Sequence, residues 1–243
     1  MDITTRTVFI AGGTSGLGLA LAERLRAAGS TVVVGGRSAE PGPLSVRIDV
    51  TDPASILAAR DEVLAAHPDL DTVVTMSGIM VAEDLRDPAH LASAEDTVTT
   101  NLLGTIRLAT AFTPHLLARG AGAIVTVSSG VAFVPLPLTP TYGATKAGVH
   151  SYSESLREQL RGTGVEVVEI VPPHVATTLM GLQDAPTAMP VDAFTDEVVG
   201  LLAQEPTPPE ILVDHVQFLR RAVVEGTYDD QLATNAQMLS MLR

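Results

Sequence analysis

A tyrosine and a lysine four positions apart are the pair of side chains in this sequence best suited to proton transfer. Residues 141–148 read TYGATKAG and contain Tyr142 and Lys146. A spacing of four places both side chains on one face of a helix. An ammonium about 4–5 Å from a phenol, at an effective dielectric constant near 20, stabilises the phenolate by roughly 3–4 kcal/mol. We therefore expect the pKa of Tyr142 to fall by about 2–3 units, which would suit proton exchange with a carbonyl or hydroxyl oxygen.

The choice of lysine at this position is itself informative. Lys146 is the one lysine in the chain, and the other fourteen basic residues are arginine. A compact ammonium and a broad guanidinium have different donor directions, so they are not interchangeable in a tight site. Retention of lysine in a chain biased towards arginine indicates that this site needs the ammonium, although a chance occurrence is the alternative.

A glycine-rich segment, AGGTSGLG at 11–18, lies between a short apolar run and a longer amphipathic one. Glycines in the pattern G-x-x-x-G-x-G let the backbone turn tightly and approach a pyrophosphate, whose charge is favoured at a helix N-terminus. An ordinary tight turn is the alternative interpretation. Because the Gly-Lys-Ser/Thr of a nucleoside triphosphate loop is missing, the pattern favours a dinucleotide. The residues predicted to bind it here are Gly12, Thr14, Ser15, Gly16, Leu17 and Gly18.

The end of the second apolar run bears on which dinucleotide is bound. NAD sites usually place an acidic residue there, but this chain has Gly35-Gly36-Arg37. The guanidinium of Arg37 can form a charge-assisted fork with a 2′-phosphate, so NADP(H) is favoured over NAD(H). A solvated surface arginine is the alternative. Asp49 could accept a hydrogen bond from the adenine amino group, with Val50 beside it, and a helix-capping or surface role is the alternative.

Short Val/Ile-rich runs alternate with amphipathic ones and predict the elements that position these residues. Nearly continuous apolar runs are typical of parallel strands covered on both faces, and the alternation indicates an open, doubly wound α/β sheet. No interdomain linker is evident, so we expect a single domain spanning 1–243. The predicted strands are 7–12, 30–36, 44–50, 71–78, 122–129, 165–171 and 210–214, and the predicted helices are 17–29, 53–67 and a stretch around 95–118.

Composition excludes several other classes of protein. A formal charge of −13 disfavours a nucleic-acid partner. Cysteine is absent, which removes disulfides and thiolate chemistry, and the six histidines show no metal-binding spacing, so no metal is expected. Neither a signal peptide nor a membrane span is evident, so we expect a cytoplasmic protein without membrane contact.

The motifs, taken in order, resemble those of the short-chain dehydrogenase/reductase family. GGTSGLG, SG at 77–78, NLLG at 101–104, VSS at 127–129 and YGATK at 142–146 occur at the family's spacing over roughly 1–178. The tail around EILVDHVQFLRRA is similar to a DltE-type branch. The resemblance implies a Rossmann-type fold and a homodimer or homotetramer joined through the 95–118 and 142–161 helices. It also implies a catalytic tetrad of Asn101, Ser129, Tyr142 and Lys146.

Individual positions follow from that resemblance. Ser129 is preferred over Ser128 as the hydroxyl that binds the substrate oxygen, and Asn101 is expected to order a water next to Lys146. TMSG at 75–78 replaces the usual Asn-Asn-Ala-Gly, and Pro172-Pro173 stands where Pro-Gly is common. Further residues expected at the cofactor are Ser77, Gly78, Pro172, Val175 and Thr177.

The sequence predicts an NADPH-dependent reductase of ketones or aldehydes, or the reverse alcohol dehydrogenase. Apolar residues before Tyr142 and a loop around 173–195 favour a small apolar carbonyl or alcohol substrate. The residues expected to form the pocket are Phe133, Leu136, Leu138 and Met180, with the core as the alternative location for those before Tyr142. An NAD-linked alcohol dehydrogenase and a non-catalytic NADPH-binding sensor or scaffold are the other functions considered.

Overall fold

A parallel seven-stranded sheet forms the centre of the protein, whose computed structural model describes residues 1–181 and 184–242. The strands are β1 (Thr7–Ala11), β2 (Thr31–Gly36), β3 (Ser45–Arg47), β4 (Thr72–Thr75), β5 (Gly122–Val127), β6 (Val165–Ile170) and β7 (Glu210–Ile211). Their order in the sheet is β3-β2-β1-β4-β5-β6-β7. Every predicted strand is present but shorter, because the last residues of most runs leave the sheet to form loops at its carboxyl edge.

Helices connect the strands and lie on both faces of the sheet. They are α1 (Gly16–Ala28), α2 (Pro53–Ala66), α3 (His90–Thr97), α4 (Gly104–Arg119), α5 (Pro140–Gln159), α6 (Val191–Leu202), α7 (Gln217–Arg220), α8 (Ala222–Glu225) and α9 (Tyr228–Ala236). The start of α2 is as the sequence predicts, since the Asp52 carboxylate accepts the Ala54 amide at 2.9 Å and Pro53 is the first helical residue. The doubly wound α/β fold is confirmed.

Two apolar cores divide the buried side chains between the faces. One core packs α1 and α6 against the sheet, with Phe194 and Ile10 at its centre. The other packs α2 and α4 against the opposite face around Phe9 and Phe112, whose ring centroids are 5.3 Å apart. Because both faces are covered, the open part of the sheet is its carboxyl edge, where doubly wound folds bind ligands.

The C-terminal helices pack beside the loop that precedes α5. Val134 in that loop shares a small apolar cluster with Leu219 and Ala222. The Asn235 amide donates to the carbonyl of Pro135 at 3.0 Å. The tail therefore forms a wall next to the loop that precedes α5. Across the described ranges, none of the helices combines the length and apolar character needed to cross a bilayer.

Candidate active site

The predicted catalytic side chains meet at the carboxyl end of β5. Tyr142 and Lys146 lie one turn apart near the start of α5, both buried, with the lysine nitrogen 5.5 Å from the centroid of the tyrosine ring. The Lys146 ammonium donates to the carbonyl of Val127, the last residue of β5, at 2.8 Å. Ser129 follows two residues later, and its hydroxyl hydrogen-bonds the Tyr142 phenol. The spacing argument for one shared helix face is thus confirmed.

Burial of this cluster reverses one expectation from the sequence. It raises the pKa of Tyr142 to about 12, and the hydrogen bond from Ser129 offsets only part of that rise. It also lowers the pKa of Lys146 to about 8. The prediction of a lowered tyrosine pKa was therefore wrong for the protein groups by themselves, because desolvation of the phenolate outweighs attraction to the ammonium.

The structure distinguishes Ser129 from its neighbour Ser128. Within the described residues, the buried hydroxyl oxygen of Ser128 has no hydrogen-bond partner. Ser129 contacts the phenol and its own hydroxyl also lies 3.4 Å from the carbonyl of Pro172. The preference for Ser129 as the hydroxyl next to Tyr142 agrees with this placement.

Asn101 lies in a π-helical segment, Val98–Leu103, between α3 and α4. Its side chain accepts from the amide of Ile79 and donates to the carbonyl of the same residue, both at 2.8 Å. A Cβ built on Gly78 would be 3.4 Å from the Asn101 oxygen and 3.9 Å from the Lys146 nitrogen. Asn101 therefore holds the segment after β4 near Lys146, while its predicted water-ordering role stays a prediction.

The glycine-rich loop is built for close backbone approach. A Cβ on Gly12, where φ is +92°, would lie 2.6 Å from the amide nitrogen of Ser77, and one on Gly18 would collide with the carbonyl of Gly12. By contrast, a Cβ on Gly16 would meet nothing within 4 Å, so the outer side of the loop is open. Together with the start of α1 at Gly16, this open cradle fits a pyrophosphate.

A cavity of about 330 Å³ lies beyond the loop, at the ends of β2 and β3. It is lined by Arg37, Arg47, Ile48, Asp49 and Ser55. Arg47 was missed from the sequence, although the structure pairs it directly with Gly36 across the two strands. Two guanidinium groups at one cavity fit an anionic substituent.

Asp49 already has partners on its own loop. Its carboxylate accepts from the Thr51 amide at 2.9 Å and from the Thr51 hydroxyl at 2.7 Å. These bonds, with a contribution from nearby Arg37, lower the pKa of Asp49, so it faces the cavity as an anion. Val50 is buried against Gly104 at the start of α4. A Cβ built on Gly104 would lie 3.0 Å from a methyl group of Val50. Contact of either residue with adenine stays a prediction.

The segment after β6 is tied to the neighbouring loop. The Pro172 carbonyl accepts the Gly130 amide at 2.9 Å and so joins β6 to the Ser129 loop, while its contact with the cofactor stays a prediction. Val175 is buried and forms a bridge with Met189, and the Thr177 amide donates to the Val175 carbonyl. Of the predicted loop 173–195, Leu182 and Gln183 lie outside the described residues.

The predicted substrate-pocket residues separate into three groups. Leu138 is 0% exposed and belongs to the core, which corrects its assignment to the pocket, and Leu136 is also buried. The ring of Phe133 packs on the edge of His150 and beneath Arg220, with centroid distances of 4.8 and 4.7 Å. Met180 is half-buried with a left-handed backbone at φ 61°. Met180 therefore keeps its predicted role as a proposal.

Two buried carboxylates near the site had no signal in the sequence patterns. Glu83 follows β4 and accepts from both the amide and the hydroxyl of Thr141, at 2.9 and 3.0 Å, at the beginning of α5. Glu169 on β6 accepts from Nδ1 of His150, one turn beyond Lys146. Each carboxylate binds a residue that is distant in the sequence. Patterns of spacing along the chain therefore could not predict either contact.

Comparisons with known proteins identify the family of the chain. The short chain dehydrogenase family model matches residues 6–187. The chain is 40% identical over 189 residues to the uncharacterized oxidoreductase DltE of Bacillus subtilis, covering 74% of this chain and 75% of that one. It is 33% identical over 188 residues to the NADP-dependent 3-hydroxy acid dehydrogenase YdfG of Salmonella typhi, covering 70% and 73%.

A solved structure shares the whole fold. The short chain dehydrogenase from Burkholderia cenocepacia J2315 in complex with NADP superposes with a TM-score of 0.81 at 22% identity, covering 96% of this chain and 99% of that one. At 22% identity this structure shows a shared fold only. Family membership is shown by the sequence matches to the family model and to the two relatives. The chain belongs to the short chain dehydrogenase family, on its DltE-like branch, and is an NAD(P)-dependent oxidoreductase.

Proposed function

We propose that this protein is an NADPH-dependent reductase of ketones or aldehydes, working through Tyr142 as general acid and, in reverse, as general base. The observation that carries the proposal is the buried contact of Ser129, Tyr142 and Lys146 at the carboxyl end of β5, beside the open glycine loop. Bound NADPH would supply the hydride that adds to the carbonyl carbon. The protein groups supply the proton and hold the oxygen.

The protonation states of the two groups support reduction. With pKa values of about 12 for Tyr142 and about 8 for Lys146, both side chains hold their protons at pH 7. The phenol can then give its proton to the substrate oxygen as hydride arrives, and Ser129 can donate to the same oxygen while negative charge develops. The adjacent ammonium stabilises the phenolate that remains. Oxidation would need the phenolate first, which burial disfavours.

The residues around the cavity favour NADPH over NADH. Arg37 and Arg47 both line it, and a guanidinium binds phosphate with two parallel hydrogen bonds. The position paired with Arg47 is Gly36, where a carboxylate that repels a 2′-phosphate would have to sit. These two features support the cofactor choice made from the sequence.

The substrate proposed is a small or medium apolar carbonyl compound. Half-buried Met180 and the apolar segment before α5 support it. The relative YdfG is named for a hydroxy acid, which carries a carboxylate. A substrate panel therefore needs both apolar and anionic carbonyl compounds, and activity confined to the anionic ones would contradict this part of the proposal.

The test is NADPH oxidation against that panel by the wild type and by Tyr142→Phe. Loss of the general acid is expected to lower kcat by about 10²–10⁴-fold. NADPH binding, followed by fluorescence, should persist. Tyr152→Phe is the matched control, because Tyr152 lies on the same helix but packs in the core beside α2 and α4. Unchanged turnover in Tyr142→Phe would overturn the mechanism.

Two other results would favour the alternatives. Tight NADPH binding with no turnover across the panel would indicate a sensor or scaffold protein. Faster oxidation of alcohols with NAD, unaffected by Arg37→Ala, would indicate an NAD-linked alcohol dehydrogenase.

We also propose that the chain acts as a homodimer or homotetramer through the helical segment that contains Asn101 and through α5. Exposed apolar side chains along 98–119 support this, namely Val98, Leu103 and Leu117. Light scattering of the purified protein tests it, and Leu103→Glu is expected to shift the mass towards the monomer.

A further inference from the structure

The buried ammonium of Lys146 raises the question of its counter-charge. The side chain is 6% exposed and donates to the Val127 carbonyl, which is a neutral acceptor. Burying a charge without an opposite charge nearby is strongly unfavourable and drives the group towards its neutral form. The proposed mechanism needs Lys146 charged. An anion near the ammonium would favour that charged form.

Glu169 on β6 is placed to be that anion. It is 0% exposed and pairs with Thr126 on β5, the residue just before Val127. Residues paired across parallel strands point to the same face. Thr126 faces α5, because its hydroxyl contacts that of Ser153 at 2.7 Å. The Glu169 side chain therefore lies under α5, on the face that carries Lys146.

His150 fixes the carboxylate in this position. Lys146, His150 and Ser153 follow one another at helical spacing along the face of α5 that lies on the sheet. His150 Nδ1 lies 2.9 and 3.1 Å from the two carboxylate oxygens of Glu169. That hydrogen bond raises the pKa of His150, and Glu169 also attracts the Lys146 ammonium. The same carboxylate thus interacts with two basic side chains of one helix.

Other charged groups surround the pair without replacing it. Glu210 on β7 pairs with Glu169 across the strands, and both its oxygens accept from Arg220, at 2.7 and 3.0 Å. Glu154 lies 3.9 Å from His150 Nε2 at the surface. Arg157 donates to the carbonyls of Val167 and Pro209.

The same cluster resembles a metal site only in part. One ligand atom each from His150, Glu154 and Glu210 lies within 4.8 Å of the others. Because Arg220 already occupies the Glu210 carboxylate and Glu169 holds the histidine, the cluster is better described as a charge network.

We propose that Glu169 is a positioning residue for the catalytic pair: its buried carboxylate, held by His150, is the counter-charge that keeps the Lys146 side chain cationic beside Tyr142. This inference rests on the proposed role of Lys146 in carbonyl reduction. Glu169 touches neither the substrate nor the cofactor, and acts through the lysine.

The experiment uses the fact that Lys146 is the one lysine in the chain. Protein labelled with ¹³C-lysine gives a single side-chain signal, whose chemical shift against pH reports the Lys146 pKa without turnover. Glu169→Gln keeps the shape and a hydrogen-bond acceptor for His150 but removes the charge. It is expected to lower the lysine pKa by about one unit or more, because an opposite charge nearby shifts a pKa by about 1–3 units.

Glu166→Gln is the matched control, since Glu166 lies on the same strand but is exposed. It is expected to leave the titration unchanged. In Glu169→Gln the alkaline limb of the pH profile of kcat/KM should move to lower pH with the lysine signal. If Glu169→Gln does not fold, Glu169→Asp, with its carboxylate drawn back by one methylene, should give a smaller shift in the same direction.

An identical lysine titration in the folded Glu169 variant and in the Glu166 control would overturn the inference. The proposed function is tested separately. If Glu169→Gln shifts the lysine pKa but the wild type reduces no carbonyl compound, the role of Glu169 is supported and the proposed reductase activity is refuted.

Discussion

The side chain of Thr14 lies directly over Gly36, so closely that a Cβ built on the glycine would collide with the threonine hydroxyl. Thr14 belongs to the glycine-rich loop and Gly36 ends β2, so this contact joins the phosphate cradle to the cavity lined by arginine. An acidic residue at position 36 has no room while Thr14 is present. The loop and the cavity are thus in contact through Thr14 and Gly36, which supports their proposed joint role in cofactor choice.

The first prediction follows from that contact. Gly36→Asp alone should weaken binding of both cofactors, because the new side chain displaces Thr14. Adding Thr14→Ala removes the hydroxyl oxygen and the methyl carbon of Thr14, which would lie closest to the new side chain. The Cβ of residue 14 then lies 3.2 Å from the Cβ at position 36. The double variant should move the ratio of kcat/KM for NADH over NADPH upwards by about tenfold or more, since one charge-assisted contact contributes about 1.5–3 kcal/mol. A ratio that stays at the wild-type value would contradict the assignment of the cavity.

The second prediction concerns the two arginines at the cavity. Arg37→Ala and Arg47→Ala should each raise KM for NADPH by about tenfold or more, because hydrogen bonds between charged groups contribute about 1.5–3 kcal/mol. KM for NADH should hardly change. Arg60→Ala on the surface of α2, where Arg60 pairs with Asp61, is the control. Equal losses for both cofactors would show that the arginines do not bind the 2′-phosphate.

The third prediction concerns the effects of replacing Lys146 on activity and on the free energy of unfolding. Lys146→Met should abolish reduction and, with the Glu169 carboxylate still held by His150, should remove the net cost of burying the ammonium at pH 7. A pKa lowered from 10.5 to about 8 corresponds to on the order of 3 kcal/mol, if the whole shift is expressed. Urea unfolding of both proteins measures the difference.

The pH dependence of that difference has a definite sign. Below about pH 8 the lysine is charged in both the folded and unfolded states, so its penalty on the wild type is fully present. Between about 8 and 10.5 only the unfolded chain keeps the proton, so the stability of the wild type rises with pH relative to Lys146→Met. A stability difference independent of pH across this window would contradict the burial of a charged lysine.

The fourth prediction concerns Glu83, whose buried carboxylate accepts both donors of Thr141. Glu83→Gln places an amide group where an acceptor is needed and should lower the free energy of unfolding by about 1–3 kcal/mol. Because Thr141 precedes Tyr142, kcat should fall while NADPH binding is kept. Glu95→Gln, at an exposed position of α3, is the control. Wild-type kcat in a measurably destabilised Glu83→Gln would limit Glu83 to a structural role.

Local patterns predicted the strands of the sheet well and placed Tyr142 and Lys146 on one helix. Runs such as 122–129 are apolar because both faces of the sheet are covered, and Tyr142 and Lys146 share a helix face by spacing alone. The pKa of Tyr142 was predicted in the wrong direction. A charge–charge estimate at one dielectric constant leaves out the desolvation that dominates when both groups are buried.

Contacts between distant segments were not predictable in this way. Glu169 and His150 meet because β6 passes beneath α5, and Arg47 reaches the cavity because β3 pairs with β2. The π-helical turn at Asn101 has no marker in residue type. These features depend on how elements pack, which spacing within one element does not record.

The isolation of the Lys146 amine beneath α5 makes it a natural reporter of local opening. Because Lys146 is only 6% exposed, an acylating reagent reaches its nitrogen through local opening around this end of α5. Under conditions where closing outpaces acylation, the extent of side-chain amine modification over time therefore measures the population of the locally opened state around Lys146. Saturation with NADPH should slow that modification, in proportion to the extra stability that the ligand confers on the closed state.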